Sequence, residues 1–459
     1  VLMGALQAMR TQRASLGYGV DIQRILAARL VQIATATGDA ALARTLLEAD
    51  PEAFTAAGDA GAALGELATS RRGLNVVEGR TLGLLLPTES PGLRDESADV
   101  LRGVLWALGL PRGARESAPL ARDGGASSGP KGTPPGSPCG TLEAAPDLEE
   151  PRSDEGTRLV TRDDSGSVDR TEVSLDELAG DGAAIVIAGL DEETAARALR
   201  WGQEHSVPVV TLVSPDLSSA GAIPPPFGFV LGEPRAKVLG ALAGAAPALT
   251  RESVAPVADS SEVATYPPGG GRLAGLTFTP PVSCDIPAAR AGEPRFPVTQ
   301  WQSVKTRAWM VSGSADCATD LVTELSVARV QGTVALTLEA AALLRSGPGL
   351  RIVSAQAGVV PITDASDPRD GEVRRFSAAL GHASWWTALG RDAATMARAA
   401  LLLLPSGSVS EPRAVAERRS AARDRLSTAR ARLWTTEAAS WSQDRTMRRT
   451  LCTVDTPPR

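Results

Sequence analysis

The chain has two histidines in 459 residues, His205 and His382. Each lies at a helix end before a strand or turn, where a solvent-facing side chain is the default. So few imidazoles make a zinc hydrolase or a Ser-His-Asp triad hard to assemble. No G-x-S-x-G elbow, P-loop lysine motif or H-E-x-x-H occurs, so an enzyme is not expected and no cofactor is implied. Aromatics are 3% of the chain, and Tyr18 and Tyr266 are its two tyrosines. Lysine is scarce, and the abundance of Ala, Arg, Gly and Pro partly reflects genome base bias. The net charge is −6 with both signs mixed along the length, which gives no electrostatic reason to expect nucleic acid.

No apolar run reaches the roughly 18 residues that a membrane helix needs. The longest, Ala183–Leu190 and Ala399–Leu404, are the size of a strand or a helix end. There is no signal peptide either. Because the chain begins at Val1, it reads as a mature or trimmed form, from which an export signal or lipid anchor could have been lost. None of Cys139, Cys284, Cys317 and Cys452 forms a C-x-x-C pair, which argues against a zinc or other metal site. In a secreted protein Cys284 and Cys317 could form a disulfide; the alternative is two small buried thiols.

Three other features have a plain structural reading. Gly269-Gly270-Gly271 stands alone after Pro-Pro and reads as a loop. Asp163-Asp164 sits at a strand end and reads as a pair of solvated turn residues. Trp385-Trp386 could stack on a ligand, but core packing of one and partial exposure of the other is the expectation.

Residues 1–75 read as helix, with Ile22, Ile25, Leu26, Leu30 and Ile33 at helical spacing and breaks at Gly38-Asp39 and Asp50-Pro51. Helix, GD turn and ALARTLLEADPEAF resemble one helical-hairpin repeat of the tetratricopeptide kind. At Arg80 the pattern changes. TLGLLLP (Thr81–Pro87) is a buried-strand run, and SADVLRGVLWALGLP is an amphipathic helix stopped by Gly109 and Pro111. Residues 111–157 are rich in Gly, Pro and Ser and nearly free of large apolar side chains. They read as a disordered surface insertion.

From Arg158 strands and helices alternate with short connections: RLVTRDD, VSLDELAGDG, AAIVIAGL, DEETAARALRWGQEHS, VPVVTLVSP, FGFVLG and PRAKVLGALAGAA. That is an open parallel sheet covered by helices, an α/β architecture. The Pro/Gly-rich stretch 250–300 holds weak strands around Ala255–Ala258 and Leu273–Phe278. RAWMVSG, CATDLVTELSVA, GTVALT, LEAAALLRS and LRIVSAQ resume the alternation. Two helices follow in GEVRRFSAALGHASWWTALGRDAATMARAALLLLP. An Arg-rich helix from about Glu411 to Leu433 and an extended piece close the chain. That helix reads as a solvated surface, with contact to an anionic partner as the alternative.

This series resembles the leucine/isoleucine/valine-binding branch of type I periplasmic substrate-binding proteins. The most specific part is the run from LVTRDD to VPVVTLVSP. Gly390-Arg391-Asp392-Ala393 is similar to the family's G-Y-D-A helix start, with Arg391 in the tyrosine's place, and Arg102-Gly103 matches a glycine of its first helix. The resemblance covers residues 80 to about 405, less the insertion. An N-terminal helical repeat before this fold also resembles, in layout, the penicillin-binding-protein activator lipoproteins of the outer membrane.

The resemblance implies a two-lobed domain over 76–410. Its first lobe would be about 80–232 plus 346–405 and its second about 233–345, with 411–459 as a separate Arg-rich helix and tail. It implies a ligand held between the lobes at strand C-terminal ends. The loops in those positions carry Thr88, Glu89 and Ser90; Asp191, Glu192, Glu193 and Thr194; and Ser214 and Asp216. In amino-acid-binding members the second loop offers hydroxyls and a helix N-terminus to a carboxylate. Here it carries three carboxylates, which read better as helix caps.

Two functions follow as expectations. One is a non-enzymatic periplasmic or outer-membrane-anchored receptor, of the kind that feeds an ABC transporter, binding an amino acid, peptide or muropeptide. The other is a ligand-less envelope scaffold or activator of peptidoglycan synthesis, whose partner would be an envelope protein.

Overall fold

The computed structural model describes residues 28–34, 43, 46–47, 61–65, 76–109, 156–215, 223–263, 265–285, 294–340, 348–358 and 368–457. Residues 28–34 and 61–65 are helical. The hairpin-repeat reading, the disordered-insertion reading, and Tyr18, Cys139 and Asp216 lie outside the described residues.

The first sheet has five parallel strands in the order β2-β1-β3-β4-β5. They are β1 (Thr81–Leu85), β2 (Arg158–Arg162), β3 (Ile185–Ala188), β4 (Val209–Thr211) and β5 (Gly228–Val230). β3 is apolar on both faces because both are covered. Val186 and Ala188 meet α2 (Val168–Gly180) and α3 (Glu192–Glu204), packing with Leu175, Leu178, Ala198 and Trp201. Ile185 and Ile187 face the opposite layer, formed by α1 (Arg94–Leu108) and later helices. α1 stops at Gly109, whose left-handed φ of 71° suits a residue without a Cβ.

After β5 the chain enters the second lobe through α4 (Arg235–Ala245). That lobe's main sheet has the order β13-β12-β11-β10-β6-β9. β6 (Ala255–Ala258), β9 (Val282–Ser283), β10 (Ala308–Ser312), β11 (Gly332–Leu336) and β12 (Leu350–Gln356) are parallel. β13 (Cys452–Thr456) is antiparallel to β12. α5 (Val298–Ser303) and α6 (Ala315–Val327) cover one face, with Trp301, Trp309, Leu321 and Leu325 buried between. α4 covers the other through Leu239 and Leu242. The expected weak strand Leu273–Phe278 is a hairpin, β7 (Gly271–Leu273) and β8 (Leu276–Phe278).

Two boundaries differ from expectation. LRIVSAQ, which a first lobe of 80–232 plus 346–405 would contain, is β12. Its full register with β11 puts it in the second sheet, so the chain returns to the first lobe after β12 rather than before it. There α7 (Pro368–Leu380) and α8 (Trp385–Leu401) pack with α1, Trp106 and Phe376 meeting edge to face at 5.4 Å.

The stretch 411–459 is not an appendage. α9 (Pro412–Thr428) lays Val415, Ala422 and Leu426 into the core shared with α8 and β3. The chain then runs beside β5, Val230 N donating to Arg445 O at 3.0 Å, and ends as β13 in the second sheet. The Arg-rich helix therefore belongs to the domain. Arg419 is buried and donates to His205 O, and Arg418 ties down Pro405 O and Gly407 O.

Arg391 is explained by the same tail. Its Nη2 donates to Glu372 at 2.8 Å, and its guanidinium also reaches Arg432 O and Asp392. Asp392 accepts from Trp434 N, Thr435 N and Thr435 Oγ1, each at 2.8 Å. A tyrosine at 391 could not donate to that many acceptors. Buried charges of this kind persist because they are paired and hydrogen-bonded.

Candidate functional site

The cleft between the lobes encloses roughly 830 Å³ of non-protein space, its open mouth included. It is lined largely from residues just beyond the carboxyl ends of parallel strands in both sheets, where an open α/β sheet leaves a crevice. Leu190 to Glu192 follow β3, Val213 and Ser214 follow β4, and Glu233 follows β5. Asp259 follows β6, Ser312 and Gly313 close β10, and Thr337 and Glu339 follow β11. Leu93, Glu96, Arg235, Val238, Glu262, Thr265 and Trp386 complete the lining. The turn after β3 passes through Gly189, φ +75°, where a Cβ would sit 2.7 Å from Ala195 Cβ, so glycine lets α3 come close.

Asp191 caps α3. Its Oδ1 accepts from Glu193 N at 3.0 Å and Thr194 N at 2.9 Å, and its Oδ2 accepts from Thr194 Oγ1 at 2.7 Å. The amides that would greet a ligand carboxylate are thus already taken. Asp191, Glu192 and Ser214 line the cleft, Glu193 is exposed, and Thr194 is buried under its cap.

Thr88, Glu89 and Ser90 are placed elsewhere. Thr88 Oγ1 donates to Asp163, and Glu89 N donates to Asp163 Oδ2 at 2.9 Å. Ser90 sits against Gly166. A carboxylate at the end of β2 collects the donors of the loop after β1 and holds it outside the cavity. Asp164 is not a solvated turn residue. It is buried, accepting from Gly166 N and Thr171 Oγ1. Both tryptophans of the pair are buried, with Trp386 at the cleft wall.

The cleft is acidic on both walls. Glu96, Asp191 and Glu192 come from the first lobe, and Asp259, Glu262 and Glu339 from the second. Arg235 is the one cation in the lining among the described residues. It is held by Glu262 at 2.7 Å and lies 4.4 Å over the Tyr266 ring. Tyr266 is buried and donates to Ser312 Oγ at 2.9 Å. Burial raises the Glu96 carboxyl to about 7, with Asp259, Asp95 and Asp285 adding repulsion. Burial and Asp285 raise Asp259 to about 6 against the Ser314 amide and Arg295. Glu262 rises to about 7, burial and Glu339 outweighing Arg235.

Cys284 and Cys317 are disulfide-bonded beside Asp259, with their Cα atoms 5.7 Å apart. That bond fixes the end of β9, the neighbour of β6, to the start of α6. The sequence reading missed Glu96, Glu233, Arg235, Asp259, Glu262, Thr337 and Glu339. The rule that found the β3 and β4 loops, applied to the ends of the expected strands Ala255–Ala258 and GTVALT, would have found Asp259 and Thr337.

No protein-family model matches the chain, and no curated protein matches it in sequence. Among solved structures it is similar to an ABC-transporter solute binding protein from R. palustris in complex with benzoate. Identity is 13%, the TM-score is 0.54, and the match covers 83% of this chain and 93% of that one. It is also similar to an extracellular ligand-binding receptor from Rhodopseudomonas palustris HaA2, at 15% identity, 82% and 97% coverage and a TM-score of 0.49. A leucine binding protein from Thermotoga maritima gives 13%, 81%, 94% and 0.49. The fold is the two-lobed fold of type I periplasmic binding proteins. No helix of the described residues is long and apolar enough to cross a membrane.

Proposed function

We propose that the protein is a non-enzymatic, extracytoplasmic solute-binding receptor that holds a small solute between its lobes. The observation that carries this reading is the cleft, lined from strand ends of both sheets and joined by three passes of the chain. In that arrangement a solute bound to both walls favours the closed form by its differential affinity for it. The similar solute binding protein from R. palustris is in complex with benzoate, which supports a small ligand without naming this one. Thermal-shift measurements with amino acids, aromatic acids, amines, peptides and muropeptides, paired with small-angle scattering, test the reading. A binder should raise the thermal midpoint and shrink the radius of gyration. Failure of every compound to do either overturns it.

One observation favours a second reading, a scaffold or activator of peptidoglycan synthesis without a ligand: Asp191 fills the α3 N-terminus that a ligand carboxylate would need. That reading expects the purified chain to raise the rate of a peptidoglycan synthase with the cleft empty. An unchanged rate eliminates it.

A further inference from the structure

We infer that the solute is a small organic amine of net positive charge, bound as a counter-ion between the acidic walls of the cleft; this rests on the cleft being the binding site. Four observations converge. First, Glu96 and Asp191 on one wall and Asp259 and Glu339 on the other enter no ion pair with Arg or Lys among the described residues, and Arg235 is already paired with Glu262. Bringing like charges together across a narrowing cleft is unfavourable unless a cation lies between them.

Second, Thr337 is 4% exposed, lines the cavity, and its Oγ1 has no hydrogen-bond partner. A buried hydroxyl left unpaired costs free energy that a ligand N–H would recover. Third, Leu190, Val213 and Val238 with the Trp386 ring give one stretch of apolar wall. It suits a carbon skeleton, and the ring suits an ammonium or guanidinium group. Fourth, the carboxylates are spread rather than convergent. The one tight cluster of potential metal ligands among the described residues is Asp259 with Cys284 and Cys317, whose sulfurs are bonded to each other. Spread carboxylates on an apolar floor fit an extended organic cation better than a bare metal ion, which needs several oxygens at one point. The raised Glu96, Asp259 and Glu262 carboxyls agree with walls that hold protons until a cation replaces them.

The test is calorimetric titration of the full chain at pH 8 and 0.15 M salt with agmatine, arginine, putrescine, leucine, benzoate and Ca²⁺. Agmatine or putrescine, or arginine with its carboxylate at Arg235, should bind at least about tenfold tighter than leucine or benzoate. The Glu339→Gln and Thr337→Val variants should each weaken that binding about tenfold, the loss expected for one charge-assisted hydrogen bond. Both substitutions keep the side-chain shape, and circular dichroism checks that each variant is folded; Glu96→Gln serves if either is not. Preferential binding of leucine, benzoate or Ca²⁺ overturns the inference while leaving the cleft as a solute site. Amine binding unchanged in every variant also overturns it, since the attraction then lies outside the cleft. No binding by any compound overturns the inference and counts against the receptor reading as well.

Discussion

Replacing Gly103 by alanine sets two effects of opposite sign against each other. Gly103 lies inside α1, and alanine there gains about 1 kcal/mol of helix propensity over glycine. Packing opposes the gain. A Cβ on Gly103 would lie 2.7 Å from Arg391 N and closer still to Thr387 O, both backbone atoms of α8. A Cβ on Gly390 would meet Val100 in the same way, its C and Cα at 2.9 Å and its O nearer. Ordinary contact needs about 3.5 Å, so the helices must move apart by about 1 Å. That loosens the layer built by Val100, Val104, Ala393, Ala394 and Ala397. Overpacking of this kind costs roughly 1–3 kcal/mol, and more where backbone is the obstacle. Gly103→Ala and Gly390→Ala should each destabilise by about 2–4 kcal/mol in urea unfolding followed by circular dichroism. The double variant should cost less than the sum, because one separation of the helices relieves both clashes. Gly240→Ala is the control. It lies on the solvent face of α4 with nothing within 4 Å of the new Cβ, and should stabilise by about 0.5–1 kcal/mol. A Gly103→Ala protein at least as stable as the parent would refute the close-crossing argument.

Stability should fall as pH rises from 5 to 8. Glu96, Asp259 and Glu262 have folded values of about 7, 6 and 7 against ordinary values of 4.5, 3.8 and 4.5. A carboxyl raised on folding contributes stability below its unfolded value and loses it as pH passes its folded one. Partial solvation of the carboxyls reduces the combined loss to about 2–3 kcal/mol. The thermal midpoint read at several pH values checks this; a midpoint that rises over the window refutes it, and a bound amine should flatten the slope. Replacing Cys284 and Cys317 together by alanine removes a cross-link between residues 33 apart and should cost about 3–4 kcal/mol by loop entropy, seen as a lower urea midpoint than the parent's; an unchanged midpoint refutes it. Asp392→Ala strands the Trp434 and Thr435 donors and Arg391 in the core. A cost of about 3–5 kcal/mol is expected, and a near-wild-type urea midpoint would show that the tail is held in some other way.

What was legible in the sequence followed periodicity. β1, β3 and β4 are apolar because helices cover both faces, and such runs stand out. So did Gly103 and the Gly390 motif, although their meaning, one helix crossing seen from its two sides, needed three dimensions. The second lobe was harder. β7, β8 and β9 are two or three residues long, too short for alternation to show, and β6 showed only as a weak strand, because Pro256 is unusual inside a sheet. Assigning β12 to the wrong lobe has a plain cause: a parallel strand looks the same in either sheet, and its register with β11 is a long-range fact. The tail was misread because Arg-rich helices are usually solvated. Here Arg391, Arg419 and Arg449 carry the polarity inward, where backbone carbonyls receive them.

That inward polarity bears on how the lobes can move. The third pass between them is anchored at a point. Arg449 is buried, donating to Thr435 O at 3.1 Å, to Thr435 Oγ1 at 2.9 Å and to Leu231 O, with Glu233 at 3.7 Å. Leu231 and Glu233 belong to the first pass, where β5 leaves for α4, and Thr435 is tied through Asp392 to α8. Burial lowers the Arg449 guanidinium to about 10 despite the nearby acids, so it stays charged at neutral pH and cannot leave without stranding charge. Any rotation of the lobes would occur around this knot rather than through it. Glu233 joins the knot to the cleft: one carboxylate contacts Arg449 and Lys237 while lining the cavity. A cation that draws Glu233 toward the cavity competes with those two partners. Ligand charge and hinge geometry would then be linked through a single side chain.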